Sequence, residues 1–385
     1  MTKFIIPFLA FLIGYELLLP TSTVGLEWYR GPHFIPSFWM TRMELFKGFF
    51  LKDLLVSLLL FEYFILKKRL YKRTNLQIIY IYIALALYGT IIAIVTWRFY
   101  DIFENLRLCF IAFVIYLITE PKVRLKFTPL FLLGLFVSGI LNLIVSYRFD
   151  IYGLRPVFFL VNQNGPGPVA ALHLFFLPKL KLSKYSLLSI GSVLFLIAVL
   201  SLSKVAYLIL ILAGMKFMFS RPKAWSLILG LGLIIIFSSS GLVDLAINQK
   251  FGSNELSVID SKGGDQTRLA YYKAQMSILF SNPFGVSYSG FYDEIMNTSY
   301  AKEGIIEESD AERANPHSTF LYYISSHGVF GIIILLWFLF DVIVNYKRDI
   351  LLLSALVVYM GTIPYLLVSY FFVIPMVLFN RRKLS

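Results

Sequence analysis

Cysteine is almost missing from this 385-residue chain: the single one, Cys109, lies inside an apolar run. A lone thiol excludes a disulfide framework and any thiolate-built metal site. Charge is scarce too, with Asp, Glu, Lys and Arg together making up 15% of the residues. There is no Asp-x-Asp pair, no Gly-rich loop followed by Lys, and no His-Glu-x-x-His run. Without a phosphate-cradling loop or a zinc-binding helix, the sequence does not point to cytosolic nucleotide-sugar, ATP or metalloprotease chemistry. It also lacks internal repeats and low-complexity segments.

What the chain has is hydrophobicity. Apolar residues make up 58% and the mean hydropathy is +0.75, against about 45–50% apolar in an ordinary soluble domain. The excess is gathered in runs such as Tyr185–Ser201 and Ala224–Phe237. The chain therefore reads as one polytopic membrane domain, all-α, spanning residues 1–385. Apolar runs fall roughly at 4–20, 50–66, 77–96, 106–119, 128–146, 168–178, 185–201, 205–219, 224–240, 319–340, 349–368 and 370–379, about 12 spans. The first run resembles a signal peptide, but no small-residue cleavage site follows it, so it is read as the first span.

The loops set the orientation. KKRLYKR (67–73), PKVRLKF (121–127), KLKLSK (179–184), SRPK (220–223), NYKR (345–348) and NRRKLS (380–385) are basic, and each follows an even-numbered run. Cytoplasmic loops carry the excess of Lys and Arg, so both termini are expected in the cytoplasm. This explains the net charge of +13 without invoking nucleic acid. The largest outward loop, 241–318, holds 11 of the 22 acidic residues. In it a surface helix is expected over Gln266–Phe280, capped by Asp265 and stopped by SNPFG.

Four potentially cationic side chains fall on the outward side. They are His317 at the end of the large loop, Arg268 on its helix, Arg155 in the loop after the fifth run, and Lys204 in the turn SLSK. Each also has an ordinary structural role open to it. Lys204 can snorkel to the interface, Arg268 can be solvated, Arg155 can pair with Asp150, and His317 can cap a helix. His327, one stretch deeper, is read as structural; His33 and His173 have no supporting context.

The stretch NPHSTFLYYISSHGVFG contains His317, Ser318, nine residues, Gly328, two residues, then Gly331. This pattern resembles a signature of the O-antigen ligase and polymerase family. SLSKVAYL resembles that family's Ser-Arg span start, with Lys204 standing where Arg is usual. DQTRLAYYKAQMSILFSNPFGVSYSGF resembles its loop helix and Pro-x-Gly turn, and RPVFFLVNQNGPGPVAAL an earlier Phe-, Asn- and Gly-rich segment. The resemblance covers roughly residues 150–335. It implies a membrane glycosyltransferase of the GT-C class in the bacterial inner membrane. Such an enzyme moves a glycan from undecaprenyl diphosphate without metal, cofactor or nucleotide sugar. The acceptor is another lipid-linked glycan in a polymerase and lipid A-core in a ligase.

For that chemistry the residue types fit. A departing diphosphate needs fixed positive charge, which Arg268 and Arg155 can supply as planar forks and Lys204 as a point charge. An acceptor hydroxyl needs a base, and His317 titrates in the right range. Gly328 and Gly331 lie three apart, leaving a bare helix face for a neighbouring helix. A polymerase is the leading reading and a ligase the nearest rival. A neighbouring flippase and chain-length regulator would favour the polymerase. A transporter is the rival of another class, but charged groups at mid-span and repeats are lacking: Glu62 and Asp341 sit near span ends.

The loop assignment is directly testable. Cysteine introduced by Ser261→Cys should react with a membrane-impermeant thiol reagent in intact spheroplasts. Labelling only after lysis would reverse the topology.

Overall fold

A computed structural model describes residues 2–18, 44–46, 49–66, 77–148, 166–177, 180, 182–201, 203–220, 264–302, 319–346 and 349–362. The elements along it are α1 (Thr2–Glu16), β1 (Glu44–Phe46), β2 (Phe49–Phe50), α2 (Leu51–Phe61) continuing into a π turn (Glu62–Leu66), α3 (Gln77–Val95), α4 (Asp101–Thr119) and α5 (Pro121–Arg148). They continue as α6 (Pro166–Leu174), α7 (Lys184–Leu200), α8 (Lys204–Ser220), α9 (Gly264–Ser281), α10 (Gly290–Met296), α11 (Ser299–Lys302), α12 (Thr319–Tyr346) and α13 (Ile350–Thr362). The runs at 224–240 and 370–379, and residues 241–263 and 303–318 of the large loop, lie outside the described residues.

Among the described residues, four helices are long and apolar enough to cross a membrane: Gln77–Val95, Asp101–Thr119, Pro121–Leu143 and Phe320–Asn345. Four shorter apolar helices, Phe4–Glu16, Lys184–Leu200, Val205–Lys216 and Ile350–Gly361, accompany them. α3 shows why such helices form. It is apolar on all sides, with Ile81, Tyr82 and Leu85 buried in protein and Ile83, Leu87 and Ile91 exposed. A helix with that pattern suits protein on one side and lipid on the other.

The described residues are all-α in architecture, as expected, with one minor addition and one correction. The addition is a short antiparallel pairing of β1 and β2, with Glu44 opposite Phe50. Pairing the two short segments satisfies backbone groups just before α2 begins. The stretch 121–127, expected as a loop, forms the first turns of α5. Pro121 suits the first helical position, where its missing N–H is not needed. The connection to α4 shrinks to Glu120, whose N–H bonds the carbonyl of Leu117.

α1 and α5 pack at backbone distance. A Cβ on Gly14 would overlap the carbonyl oxygen of Phe131, and one on Gly134 would overlap that of Phe11. Such small-residue crossings replace the hydrophobic driving force that lipid does not supply. α6 packs between α7 and α8 and closes on their turn, where a Cβ on Gly167 would overlap Ser201 Oγ and lie 3.3 Å from Ala206. Ser183 caps α7 by accepting from the Ser186 N–H at 3.1 Å.

Polar contacts gather particular helix ends. Lys52 Nζ reaches Glu16 at 2.6 Å, joining α1 to α2. Arg107 on α4 lies 2.6 Å from Glu104 and 3.5 Å from Asp53. Asn142 on α5 donates to the carbonyl of Leu18 at 2.5 Å. Elsewhere, Lys216 at the end of α8 pairs with Asp349 before α13. The first set joins ends that the alternating basic loops assign to one membrane face, and Lys216 and Asp349 belong by the same reading to the other.

Candidate functional site: a loop lodged in a broken span

α9 covers the expected loop helix. Ala270, Tyr271, Ala274 and Ile278 on α9 pack with Val286, Phe291 and Ile295 into a small core of their own. The helix stops where SNPFG begins. Asn282 N–H bonds the Ile278 carbonyl at 2.8 Å and Gly285 N–H bonds the Asn282 carbonyl at 2.9 Å. Gly285 has φ +94°, a conformation that β-carbon residues rarely adopt.

The loop then runs into a break in α12. At Gly328, φ is 59° and ψ is −143°, non-helical values inside an otherwise continuous element. In an unbroken helix the Val329 N–H would bond the Ser325 carbonyl. Here Val329 N–H donates to the Pro283 carbonyl at 2.8 Å, while the Ser325 carbonyl accepts from Val286 N–H at 3.3 Å. The Ser326 carbonyl accepts from Ser287 N–H at 3.1 Å. The loop thus supplies the donors and the acceptor that the break would otherwise leave unsatisfied.

This geometry corrects the reading of Gly328 and Gly331 as a bare face for a neighbouring helix. A Cβ on Gly328 would overlap the Pro283 carbonyl oxygen and come within 2.6 Å of Gly285 N. One on Gly285 would come within 2.8 Å of Gly328 N. Two backbones cross here with no room for a side chain on either. Gly331 faces its own helix: a Cβ there would overlap the Tyr323 carbonyl oxygen and sit 3.0 Å from His327 Cβ.

His327 lies just before the break and is 1% exposed. The rings of Tyr288 and Tyr323 lie 5.3 and 5.4 Å from it, and Tyr88 lies 6.1 Å away. Ser326 Oγ donates to the Tyr322 carbonyl at 2.6 Å, leaving its lone pairs for His327 Nδ1 at 2.8 Å. A Cβ on Gly89 of α3 would overlap Asn105 Oδ1 and lie 2.9 Å from His327 Nε2, so α3, α4 and α12 meet at that point. Burial, then the nearby Glu104 and Asp101 carboxylates, push the Tyr288 phenol well above its usual range. It therefore stays neutral.

The α3–α4 turn grips the same loop from the other side. Asp101, 4% exposed, accepts through Oδ2 from Ser287 Oγ, from Ser289 N–H at 2.9 Å and from Ser289 Oγ at 3.0 Å. Arg98 reaches Asp293 at 2.5 Å and Ser289 Oγ at 3.4 Å. Tyr88 donates its hydroxyl to the Phe284 carbonyl at 2.8 Å.

Of the residues singled out from sequence, His317 and Arg155 lie outside the described residues. Arg268 lies on α9 and Lys204 is the first residue of α8; for these two the description extends to the helix backbone. α12 begins at Thr319, two residues after His317. The structure brings two pairs of the family-like stretches together: NGPGP with the SLSK turn, and NPFGV with SSHGV. Asp101, Ser287, Ser289 and Tyr288 escaped the sequence reading. Their faint signal was a carboxylate opening a span and the alternating serines of VSYS. No group of three or more His, Cys, Asp or Glu side chains fit to hold a metal occurs among the described residues.

Residues 189–336 match the family model described as O-antigen ligase. The matched segment runs from α7 into α12 and contains Lys204, Arg268, His317, Gly328 and Gly331; Arg155 precedes it. The match is to that segment, less than half of the chain, and it supports the resemblance to the O-antigen ligase and polymerase family. No curated protein matches the chain, and no solved structure does.

The crossing predicts an asymmetry among glycines. Gly328→Ala should lower thermal stability in detergent, by about 1–3 kcal/mol from the backbone conformation alone and further from the overlap with Pro283. Gly214→Ala, with nothing within 4 Å of the new methyl, should leave it unchanged. Equal melting temperatures for the two variants would contradict the crossing.

Proposed function

We propose that this protein transfers a glycan from an undecaprenyl diphosphate carrier to an acceptor hydroxyl at the outer face of the inner membrane, extending a polysaccharide as a polymerase. His317 takes the proton of the acceptor hydroxyl. The hydroxyl oxygen attacks the anomeric carbon, the bond from that carbon to the diphosphate oxygen breaks, and the electron pair leaves with the diphosphate. Arg268 stabilises that developing charge, with Arg155 and Lys204 as further cations. Both termini lie in the cytoplasm in this reading, loop 241–318 is periplasmic, and the bundle is of the GT-C type with about 12 spans.

The observation that carries the proposal is the interlocking of NPFGV with SSHGV. These stretches, which bear much of the family resemblance, are held together by backbone hydrogen bonds from Val286, Ser287 and Val329. The loop helix bearing Arg268 feeds one side of that junction, and the chain from His317 enters the other. A fixed junction between a cation-bearing helix and a base-bearing span start is what in-line displacement of a diphosphate requires.

Ligation is the second reading, with lipid A-core as acceptor. It is favoured by the description of the matched family, O-antigen ligase. Donor and catalytic chemistry are the same in both, and the acceptor alone differs.

The base assignment separates from a structural role by magnitude. Loss of a general base lowers the rate by about 10²–10⁴-fold, or about 3–5 kcal/mol of barrier. Loss of a helix cap costs about 1 kcal/mol of stability and little rate. His317→Ala should insert, fold and bind the lipid-linked donor yet transfer almost nothing. Turnover above roughly a tenth of wild type at equal protein level would remove His317 from the base role.

A further inference from the structure

Asp101 stands apart from the residues used so far. It opens α4, forms no ion pair among the described residues, and is 4% exposed. Three donors converge on its Oδ2, all from residues 287–289. Those residues continue directly from the strand-like contact with α12, where Val286 and Ser287 bond the Ser325 and Ser326 carbonyls. One carboxylate oxygen on α4 therefore fixes the far end of the segment whose near end repairs the break in α12. Tyr88 from α3 holds the middle, at the Phe284 carbonyl.

We infer that Asp101 is a positioning residue for glycan transfer: by anchoring Ser287 and Ser289 it seats the 283–287 segment in the α12 break, and so fixes the first turns of α12 and the chain entering them from His317. This rests on the transferase reading for its catalytic half. Its mechanical half rests on the hydrogen bonds alone.

The physical case is one of low dielectric. A buried carboxylate is costly unless its oxygens are satisfied, and donors to an ionised oxygen give stronger bonds than neutral pairs. Remove that oxygen and three donors lose their partner together. The loop then keeps its backbone contacts to α12, the Tyr88 bond to Phe284 and the Arg98 contacts with Ser289 and Asp293, and the backbone contacts are what hold α12 in its broken form. A displacement of about 1 Å at a reacting group costs on the order of 10²-fold in rate. The positioning role therefore acts on turnover, because the donor carrier still finds Arg268 on α9 and Lys204 on α8.

The test uses the full-length protein in nanodiscs and reads two quantities. Hydrogen exchange of peptides covering 283–289 and 325–331 reports the amides of Val286, Ser287 and Val329. Steady-state transfer reports kcat and the KM for the lipid-linked donor. Asp101→Ala should lose protection in both peptides and lower kcat by about 10–100-fold with donor KM within about threefold. Asp101→Asn keeps an oxygen to accept from the same donors, and should regain protection and most of kcat. A merely structural role predicts less folded protein but an unchanged kcat per folded molecule. Unchanged protection in Asp101→Ala overturns the anchoring, whatever the activity. Lost protection with unchanged kcat overturns the positioning role. A wild-type protein that transfers no glycan overturns the transferase reading and with it the catalytic half, while the exchange data still decide the anchoring.

Discussion

Two glycine backbones pass each other at Gly285 and Gly328, and the arrangement around the candidate site depends on that crossing. A span broken in a membrane must find partners for the carbonyls and N–H groups it releases, because lipid offers none. Here the partners come from the protein itself. The carbonyls of Ser325 and Ser326 and the N–H of Val329 all bond the 283–287 segment. The loop therefore completes the span, and the span gives the loop an extended, hydrogen-bonded stretch. Both glycines have positive φ, and neither position leaves room for a β-carbon.

Around this crossing the protein places polar groups that would be costly elsewhere in an apolar bundle. Asp101 is satisfied by two serines, and Asn105 donates to the Asp101 carbonyl at 2.8 Å. His327 is packed among tyrosine rings and bonded to Ser326. Such groups specify one arrangement, because each alternative packing strands a buried donor or acceptor. Ser287 and Asp101 are 186 residues apart in sequence, so their contact ties the α3–α4 hairpin to the family-like half of the chain.

Much of the helical fold was legible from apolar runs. The runs at 185–201 and 205–219 became α7 and α8, and the loop helix expected over Gln266–Phe280 became Gly264–Ser281. Periodicity failed where charge and helix coincide. Lys122, Arg124 and Lys126 disguised the start of α5 as a loop, and Asp101, Glu104 and Arg107 hid the first turns of α4. Acidic residues in a first turn are favourable to the helix, so the first turns of α4 form despite their polarity; α5 has no acidic residue in its first turn and starts instead on Pro121. At the site, the spacing of Gly328 and Gly331 told that a backbone approaches closely, but not which one. A glycine pattern records the absence of a β-carbon and carries no name for its neighbour. Asp101 was illegible for the same reason: a carboxylate's role is set by donors that arrive from far along the chain.

The proposed account, a glycan moved off a lipid diphosphate, rests on the interlocked stretches, the O-antigen ligase match over residues 189–336, and the placement of Lys204 on α8 and Arg268 on α9. The most direct measurement incubates the purified protein with undecaprenyl-diphosphate-linked oligosaccharide, with and without a lipid A-core acceptor, and sizes the products. The account predicts lipid-linked chains of increasing length without added acceptor, or, in the ligase reading, glycan appearing on lipid A-core alone. Donor recovered intact under both conditions, from protein shown to be folded, would contradict it.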